Sequence, residues 1–223
     1  MDLAGAERAT KVATHQNGPP LQGARATIAG EDVLRAQLYN LLSQFLWAAP
    51  TQQHLDIVAA LQTEGPGDIA AALARFAEAA SKADVKTEQN AYELLFIGLG
   101  RGKLVPYGSF YLTGFLNEKP LAVLRQTMAA MGIERDDARS EPEDHAASLM
   151  EIMSGLIDQR YGREFPLAEQ KKFFNEQIYS WMPHFFKDLE GEGEESALYA
   201  ALGGVGAAFL ALENDGFEML ETA

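Results

Sequence analysis

The amino-acid sequence predicts an all-α protein, built as one globular, bundle-like domain of about eight to nine helices. Two observations carry this prediction. Apolar residues recur every three or four positions along most of the chain, as they do on the buried face of an amphipathic helix. No run of four or more residues alternates between apolar and polar as a half-buried strand does, and β-branched residues are sparse.

Breakers divide the first half of the chain into four predicted helices. These helices are predicted over residues 31–47, 51–61, 68–80 and 84–97. In the first of them Leu34, Leu38, Leu41 and Phe45 form one apolar stripe, which predicts the buried face. Pro50 follows the first helix, Gly65-Pro66-Gly67 the second, and Gly98 and Gly100 the fourth, and both residue types terminate helical structure.

The second half is predicted to continue with helices of the same kind. They are expected over residues 120–131, 141–160, 166–182 and 183–189 and in the C-terminal segment. Gly132 stands where a glycine commonly ends a helix. Residues 196–212 fall a little short of the ~20 apolar residues that cross a bilayer. Their glycines, among them Gly203 and Gly206, favour a buried helix that another helix approaches closely.

The helical domain is expected over residues 31–215. Residues 1–30 lack apolar periodicity and are predicted to form a flexible tail, and 216–223 a short C-terminal tail. The N-terminal segment has no continuous apolar run of the secretory type, so a cytoplasmic location is expected.

A polar stretch interrupts the domain near residues 132–141. We interpret it as a candidate hinge between subdomains at about 31–132 and 141–215. A plain loop would explain the same composition, and neither half would bury enough apolar surface to fold alone.

Composition excludes several classes of protein. The net charge is −14 and the sequence pI is near 4.7, so the basic surface that nucleic-acid binding requires is not expected, and cationic partners are favoured. Cysteine is absent, which excludes disulfides and thiolate ligands. A metal would have to rest on four histidines and on carboxylates, whose spacing matches no closed zinc site.

The most informative motif is the acidic run from Ser140 to His145. Ser140 and Glu143 have the spacing of a capping box, and Pro142 suits the first turn of a helix, so helix initiation alone can explain the acids. His145 heads an apolar stripe through Leu149 and Leu156. It is either a satisfied core histidine or a functional side chain of tunable charge near the hinge.

A second feature is the density of aromatic residues between positions 92 and 115. They are Tyr92, Phe96, Tyr107, Phe110, Tyr111 and Phe115. Helical spacing places the first two in the core, whereas Pro106 and nearby glycines predict irregular backbone beneath the others. Rings on such a loop either fill the core or line a groove for an apolar peptide, and spacing alone does not decide between these interpretations.

Other signals fail. Residues 98–103 lack the first glycine and the serine or threonine of a phosphate-binding loop, and no strand precedes them. Ser109 lacks the second glycine of a nucleophile elbow.

The chain resembles the TorD/DmsD/NarJ family of redox-enzyme maturation chaperones over roughly residues 31–215. Three segments carry the resemblance: Tyr92-Glu93-Leu94-Leu95-Phe96-Ile97-Gly98, Pro106-Tyr107-Gly108-Ser109-Phe110-Tyr111 and Glu141-Pro142-Glu143-Asp144-His145. Where some relatives have tryptophan in the loop, this chain has Tyr107 and Tyr111. The resemblance implies an all-helical cytoplasmic chaperone, not an enzyme, with no stable membrane insertion and no cofactor of its own.

The implied partners are a twin-arginine signal peptide and the apo form of a molybdoenzyme catalytic subunit. Asp144, with Glu141 or Glu143, would meet the cationic part of the leader, and His145 would join the hinge beside the groove. The apolar part of the leader would contact Leu95, Phe96, Pro106, Tyr107 and Tyr111.

Three further expectations remain open. The client enzyme could be one that is not exported, so that no leader is involved. A small helical hydrolase could use Asp144 and His145 with a recruited metal ion. The resemblance also implies that protomers can exchange segments, which would give a domain-swapped homodimer.

Overall fold

A computed structural model describes residues 28–63, 65–98, 102–135 and 141–219 of the chain. The predicted all-α fold is confirmed: these residues form ten α-helices and no strand. They are α1 Gly30–Trp47, α2 Gln52–Ala59, α3 Asp68–Lys82, α4 Val85–Tyr92, α5 Gly108–Thr113, α6 Lys119–Met131, α7 Ala146–Ile157, α8 Leu167–Phe173, α9 Met182–Glu190 and α10 Ala197–Met219. Two π-helical turns, Glu93–Ile97 and Phe174–Tyr179, continue α4 and α8.

One hydrophobic core joins elements from both sides of the predicted hinge. Helix α1 packs chiefly against α7, and α3 packs against α10, which also contacts α9. Ten of the twelve residues of α7 are buried, as expected for a helix that is apolar on all faces. The two expected subdomains therefore share one hydrophobic core. Residues 136–140 of the hinge lie outside the described part, and segment exchange stays a prediction.

The predicted buried stripe of α1 is confirmed at Phe45 and wrong at Leu34. Leu34 is 63% exposed, and Leu38 and Leu41 are only partly buried. The buried face is formed instead by Ala36, Tyr39, Leu42, Phe45 and Leu46.

A buried carboxylate explains the rotation of α1. Glu213 on α10 accepts hydrogen bonds from Nε and Nη2 of Arg35, at 2.7 and 2.8 Å, and from the hydroxyl of Tyr39 at 3.0 Å. A bidentate ion pair of this kind fixes both distance and direction. The helix therefore turns Tyr39 inward, although its apolar spacing alone would favour the stripe of Leu34.

The glycines of α10 allow the close helix contact that the sequence predicts. A Cβ atom on Gly203 would lie 2.8 Å from the carbonyl oxygen of Phe186 and would clash with the backbone of Glu190. One on Gly206 would overlap the Phe186 ring. Helix α9 therefore lies directly against α10, backbone to backbone.

Helix α10 is the one described helix long and apolar enough to cross a membrane by length and composition. More than half of its apolar window, 56%, is buried by the rest of the protein. Packing against α3 and α9 agrees with the prediction of a core helix. The helix continues to Met219 and buries Phe217, so the helix runs past residue 215, where the C-terminal tail was expected to begin.

Two predicted boundaries were wrong. The helix expected over residues 141–160 begins only at Ala146, with His145 as its N-cap, and ends at Ile157. The aromatic segment expected to be irregular contains the short helix α5, which is the additional helix beyond the nine predicted segments. In both places a side chain distant in sequence or an unforeseen cap sets the helix start.

Substitution of Gly203 by alanine is expected to destabilise the fold. The added methyl group would meet backbone atoms of α9 that move only if the helices separate, so we expect a loss of about 1–3 kcal/mol in the free energy of unfolding. Urea denaturation measures it. The matched control is Gly216→Ala on the same helix, where nothing lies near the new atom and a gain of about 0.5–1 kcal/mol is expected. Equal stabilities would contradict this packing.

Candidate functional site

The two motifs that stood out in the sequence meet in the fold. Tyr107 and His145 form an isolated antiparallel bridge. The N–H of Gly108 donates to the carbonyl oxygen of Asp144 at 2.9 Å, and the N–H of Ala146 donates to that of Pro106 at 2.8 Å. The start of α5 is thus joined to the start of α7, and the two chain segments become one site.

Asp144 caps the N-terminus of α5. Its Oδ2 accepts a hydrogen bond of 2.8 Å from the N–H of Ser109, which lies in the first turn of that helix. A carboxylate at this position also neutralises the positive end of a helix. The side chain is only 3% exposed. Asp144 therefore serves a helix that begins 36 residues earlier in the sequence, at Gly108.

His145 is held as a neutral core side chain. Its Nδ1 accepts a hydrogen bond of 3.1 Å from the N–H of Ala147, so that nitrogen carries no proton. The ring packs edge-on against Trp47 and Tyr107, with centroids 5.4 and 4.9 Å away. Burial lowers the pKa of His145 to about 4. The tunable charge that the sequence allowed is absent near neutral pH.

Glu143 has internal partners. Its Oε2 lies 2.9 Å from Arg125, and its Oε1 lies 3.1 Å from Nε of Arg135. The predicted helix-start role of Glu143 was wrong, because α7 begins three residues later and this carboxylate instead ties the acidic segment to α6. Ser140, the other half of the expected capping box, lies outside the described residues.

Exposed acid remains beside the phenol rings. The hydroxyl of Tyr107 donates to Oε2 of Glu141, whose side chain is exposed. Burial, then the charges of Glu93 and Glu141, raise the pKa of Tyr92 to about 12. Glu93 and Glu141 are both exposed. We refer to Tyr92, Glu93, Tyr107 and Glu141 as the acidic aromatic face.

The π-helical turn after α4 shapes the edge of this face. The N–H of Gly98 donates to the carbonyl oxygen of Glu93, five residues earlier, at 2.7 Å. In this wider turn the carbonyl oxygens of Leu94 and Leu95 accept hydrogen bonds from the N–H groups of residues 103 and 104, at 3.2 and 2.8 Å. Leu94 and Ile97 are left 46% and 51% exposed. Such turns recur at functional sites.

The other predicted site residues differ in exposure. Leu95 and Pro106 are buried. Phe96 is partly buried, with its ring 5.5 Å from that of Tyr199. Tyr111 is also partly exposed, and its hydroxyl donates to Asp188 at 2.9 Å. Only Phe96, Tyr107, Tyr111 and Glu141 of the nine predicted residues retain accessible surface, and the roles of all nine stay predictions.

Comparison with known proteins identifies the family. Residues 62–187, more than half of the chain, match the family described as Nitrate reductase delta subunit. The chain belongs to this family. The predicted resemblance to the TorD/DmsD/NarJ chaperones is thereby confirmed.

Curated relatives of this nitrate reductase delta subunit family member are named Chaperone protein TorD. The protein from Aliivibrio fischeri is 28% identical over 199 residues, covering 80% of this chain and 92% of that protein. The protein from Aliivibrio salmonicida is 32% identical over 126 residues, covering 53% of this chain and 58% of the relative. These names agree with the expectation of a maturation chaperone.

A solved structure shares the fold of this family member. It is described as a redox enzyme maturation protein from Archaeoglobus fulgidus, with a TM-score of 0.52 and 20% sequence identity. The match covers 85% of this chain and 99% of the other. At this identity the likeness shows the fold alone.

Metal chemistry receives no support from the described residues of this family member. Within them, no three acidic or histidine side chains are arranged to hold a metal ion. Asp144 and His145, which a hydrolase would need, both act as helix caps. Residues 99–101 of the glycine-rich segment lie outside the described part.

Sequence reasoning missed Glu93 as a candidate. It stands in the first family segment, within the helix predicted over residues 84–97, and no role was predicted for it. The missing information was the π-helical turn Glu93–Ile97, in which Leu94 is 46% exposed.

The buried imidazole predicts a specific pH dependence of stability. The pKa of His145 is about 4 in the folded chain and 6.5 ordinarily, so the unfolded chain binds the proton more readily. The stabilisation is complete above pH 6.5 and is lost as the pH falls towards 4. We expect a loss of about 3 kcal/mol across this window.

Urea unfolding at several pH values compares the wild type with His145→Asn, which keeps a capping acceptor but does not titrate. The variant should be less stable at neutral pH, because its ring contacts are gone, and should lose less stability on acidification. His184→Asn, at an exposed position, is the matched control and should follow the wild type. Parallel pH profiles of all three proteins would refute a buried neutral His145.

Proposed function

We propose that this protein is a cytoplasmic chaperone for an exported molybdenum-cofactor oxidoreductase. It binds the twin-arginine leader and the apo form of the catalytic subunit, and it delays export until folding and cofactor insertion are complete. Family membership and the names of the relatives support a maturation chaperone. The observation that carries the leader proposal is the acidic aromatic face with its apolar edge.

The acidic half of the face suits two guanidinium groups. Glu93 and Glu141 are exposed carboxylates, Glu93 next to Tyr92 in the sequence and Glu141 bonded to Tyr107, and the charge of each raises the pKa of Tyr92. A carboxylate accepts a guanidinium through two parallel hydrogen bonds. The hydroxyl of Tyr107 already donates to Oε2 of Glu141, so a guanidinium would share this carboxylate with the phenol. Two carboxylates thus stand ready for two adjacent arginines.

The apolar half of the face suits the segment that follows the arginines. Leu94 and Ile97 belong to the same π-helical turn as Glu93, and both are about half exposed. Covering exposed aliphatic surface contributes roughly 25 cal/mol per Å² of apolar area buried. An apolar helix laid across this turn would bury both side chains while its preceding arginines meet the acids.

The buried members of the predicted site support the face from below. Asp144 and His145 fix the relative position of α5 and α7, and Glu143 is neutralised by two arginines. In this proposal Asp144, His145 and Glu143 act as positioning residues. Glu93 and Glu141 bind the arginines of the leader.

Calorimetry with a synthetic peptide tests the proposal. The peptide carries two adjacent arginines followed by an apolar, helix-forming segment. Glu93→Gln and Glu141→Gln should each weaken binding about two- to fivefold, as expected for exposed ion pairs. The double variant should lose more affinity and most of the salt dependence.

Asp56→Asn removes the same charge from an exposed position on α2 and serves as the matched control. Replacing both peptide arginines by glutamine should reduce wild-type binding to the level of the double variant. If Asp56→Asn lowers the affinity as much as Glu141→Gln does, the effect is one of net charge and the proposed face is wrong.

A further inference from the structure

Residues 102–105, which we call the strap, lie directly against the π-helical turn Glu93–Ile97. A Cβ atom on Gly102 would stand 2.5 Å from the carbonyl oxygen of Leu95 and would overlap the backbone of Phe96. The two stretches of backbone therefore touch, with no side chain between them. Two N–H groups of the strap also donate to carbonyl oxygens of the turn. The strap is thus part of the support of the apolar edge.

The strap occupies a carbonyl oxygen that a regular α-helix would use. In an α-helix the N–H of Gly98 would donate to the carbonyl oxygen of Leu94, four residues earlier. Here it donates to that of Glu93, and the carbonyl oxygen of Leu94 accepts from the N–H of Lys103 at 3.2 Å. Without the strap, this oxygen could accept from Gly98 and the turn could tighten to an α-helix. A change in the number of residues per turn would also change the direction in which Leu94 and Ile97 point.

The side chain of Lys103 fastens the strap to the loop between α9 and α10. Its Nζ lies 2.7 Å from Oε2 of Glu192 and 2.9 Å from Oε1 of Glu195. Hydrogen bonds to these two carboxylates raise the pKa of Lys103, so the ammonium keeps its charge near neutral pH. The side chain of Lys103 is 41% exposed, so it can be substituted without opening the core.

The loop that holds Lys103 is itself anchored to α4. The hydroxyl of Ser196 donates to Oε2 of the buried Glu88 on α4 at 2.5 Å, and it accepts from the N–H of Tyr199 on α10 at 3.0 Å. Helix α4 continues into the π-helical turn. The contacts therefore form a closed ring, from α4 through the turn, the strap and the loop back to α4. Lys103 is an exposed joint in this ring.

We propose that Lys103 is a positioning residue for client binding. Its two ion pairs hold the strap on the π-helical turn, and the turn then presents Leu94 and Ile97 to an apolar segment of the client. The inference rests on the proposed function, because it assigns this apolar edge to a client chain. Exposed ion pairs contribute modestly to stability, so their loss should release the strap without unfolding the domain.

Calorimetry with the peptide that carries two adjacent arginines and an apolar segment tests the sign of the effect. Lys103→Gln should weaken binding about two- to fivefold, because the strap is released. The net charge of the protein alone predicts the reverse, since loss of a positive charge from a chain of charge −14 favours a cationic peptide. Lys103→Arg keeps the charge and should bind as the wild type does. Lys82→Gln breaks an exposed ion pair on α3, removes the same charge and is the matched control, which should not weaken binding.

The two glutamates supply a second test. The pair Glu192→Gln and Glu195→Gln should weaken binding as Lys103→Gln does, whereas by net charge the lysine and glutamate changes act in opposite directions. All three changes together should weaken binding no further than the glutamate pair, because they break the same contact. Unchanged or stronger binding by Lys103→Gln, or additive losses in the combined variant, overturns the proposal.

Hydrogen exchange of the free protein separates this inference from the leader proposal. The N–H groups of Lys103 and Leu104 hold the strap on the turn, so Lys103→Gln should speed their exchange about two- to fivefold, whereas Lys103→Arg should not. Unchanged exchange refutes the role of Lys103 even where the leader peptide binds. If the wild type binds no leader peptide, the leader proposal fails, and exchange at these two amides decides whether Lys103 holds the turn.

Discussion

The capping of α5 by Asp144 is the interaction on which the site depends. Helix α5 has six residues, too few to be stable by itself, and its first turn is satisfied by the carbonyl and the carboxylate of one residue far along the chain. The next residue, His145, caps α7. Two helix starts are therefore locked together at one dipeptide, and the aromatic residues of the first take their positions from the second.

This arrangement divides the acidic motif into structural and accessible parts. Asp144 and Glu143 are buried and bound to groups within the protein, whereas Glu141 is exposed and accepts a hydrogen bond from the Tyr107 hydroxyl. A partner cannot approach the buried acids from the acidic aromatic face without displacing bonds that hold the fold. The division explains how adjacent carboxylates in one short run can have different functions.

The sequence was sufficient for nine of the ten described helices and for the close approach of another helix to the glycines of α10, because period and glycine spacing are local signals. It misplaced the start of α7, since Ser140 and Glu143 fit a capping box as well as His145 fits the true cap. It missed α5, whose cap is supplied by Asp144, 36 residues away from its first residue, Gly108. The rotation of α1 likewise depends on Glu213, a residue of the last helix. The errors at α5 and α1 involve a partner distant in sequence, whereas the error at α7 is a choice between two local caps.

The charge of the acidic aromatic face comes from its carboxylates alone near neutral pH. His145 has a pKa of about 4 and Tyr92 one of about 12, so neither ring changes its charge there. The carboxylates of Glu93 and Glu141 are exposed, so an ion pair with either of them is screened by water and contributes modestly. Buried hydrogen bonds already fix the chain segments beside these side chains. A cationic partner would therefore gain this attraction without first ordering the surface.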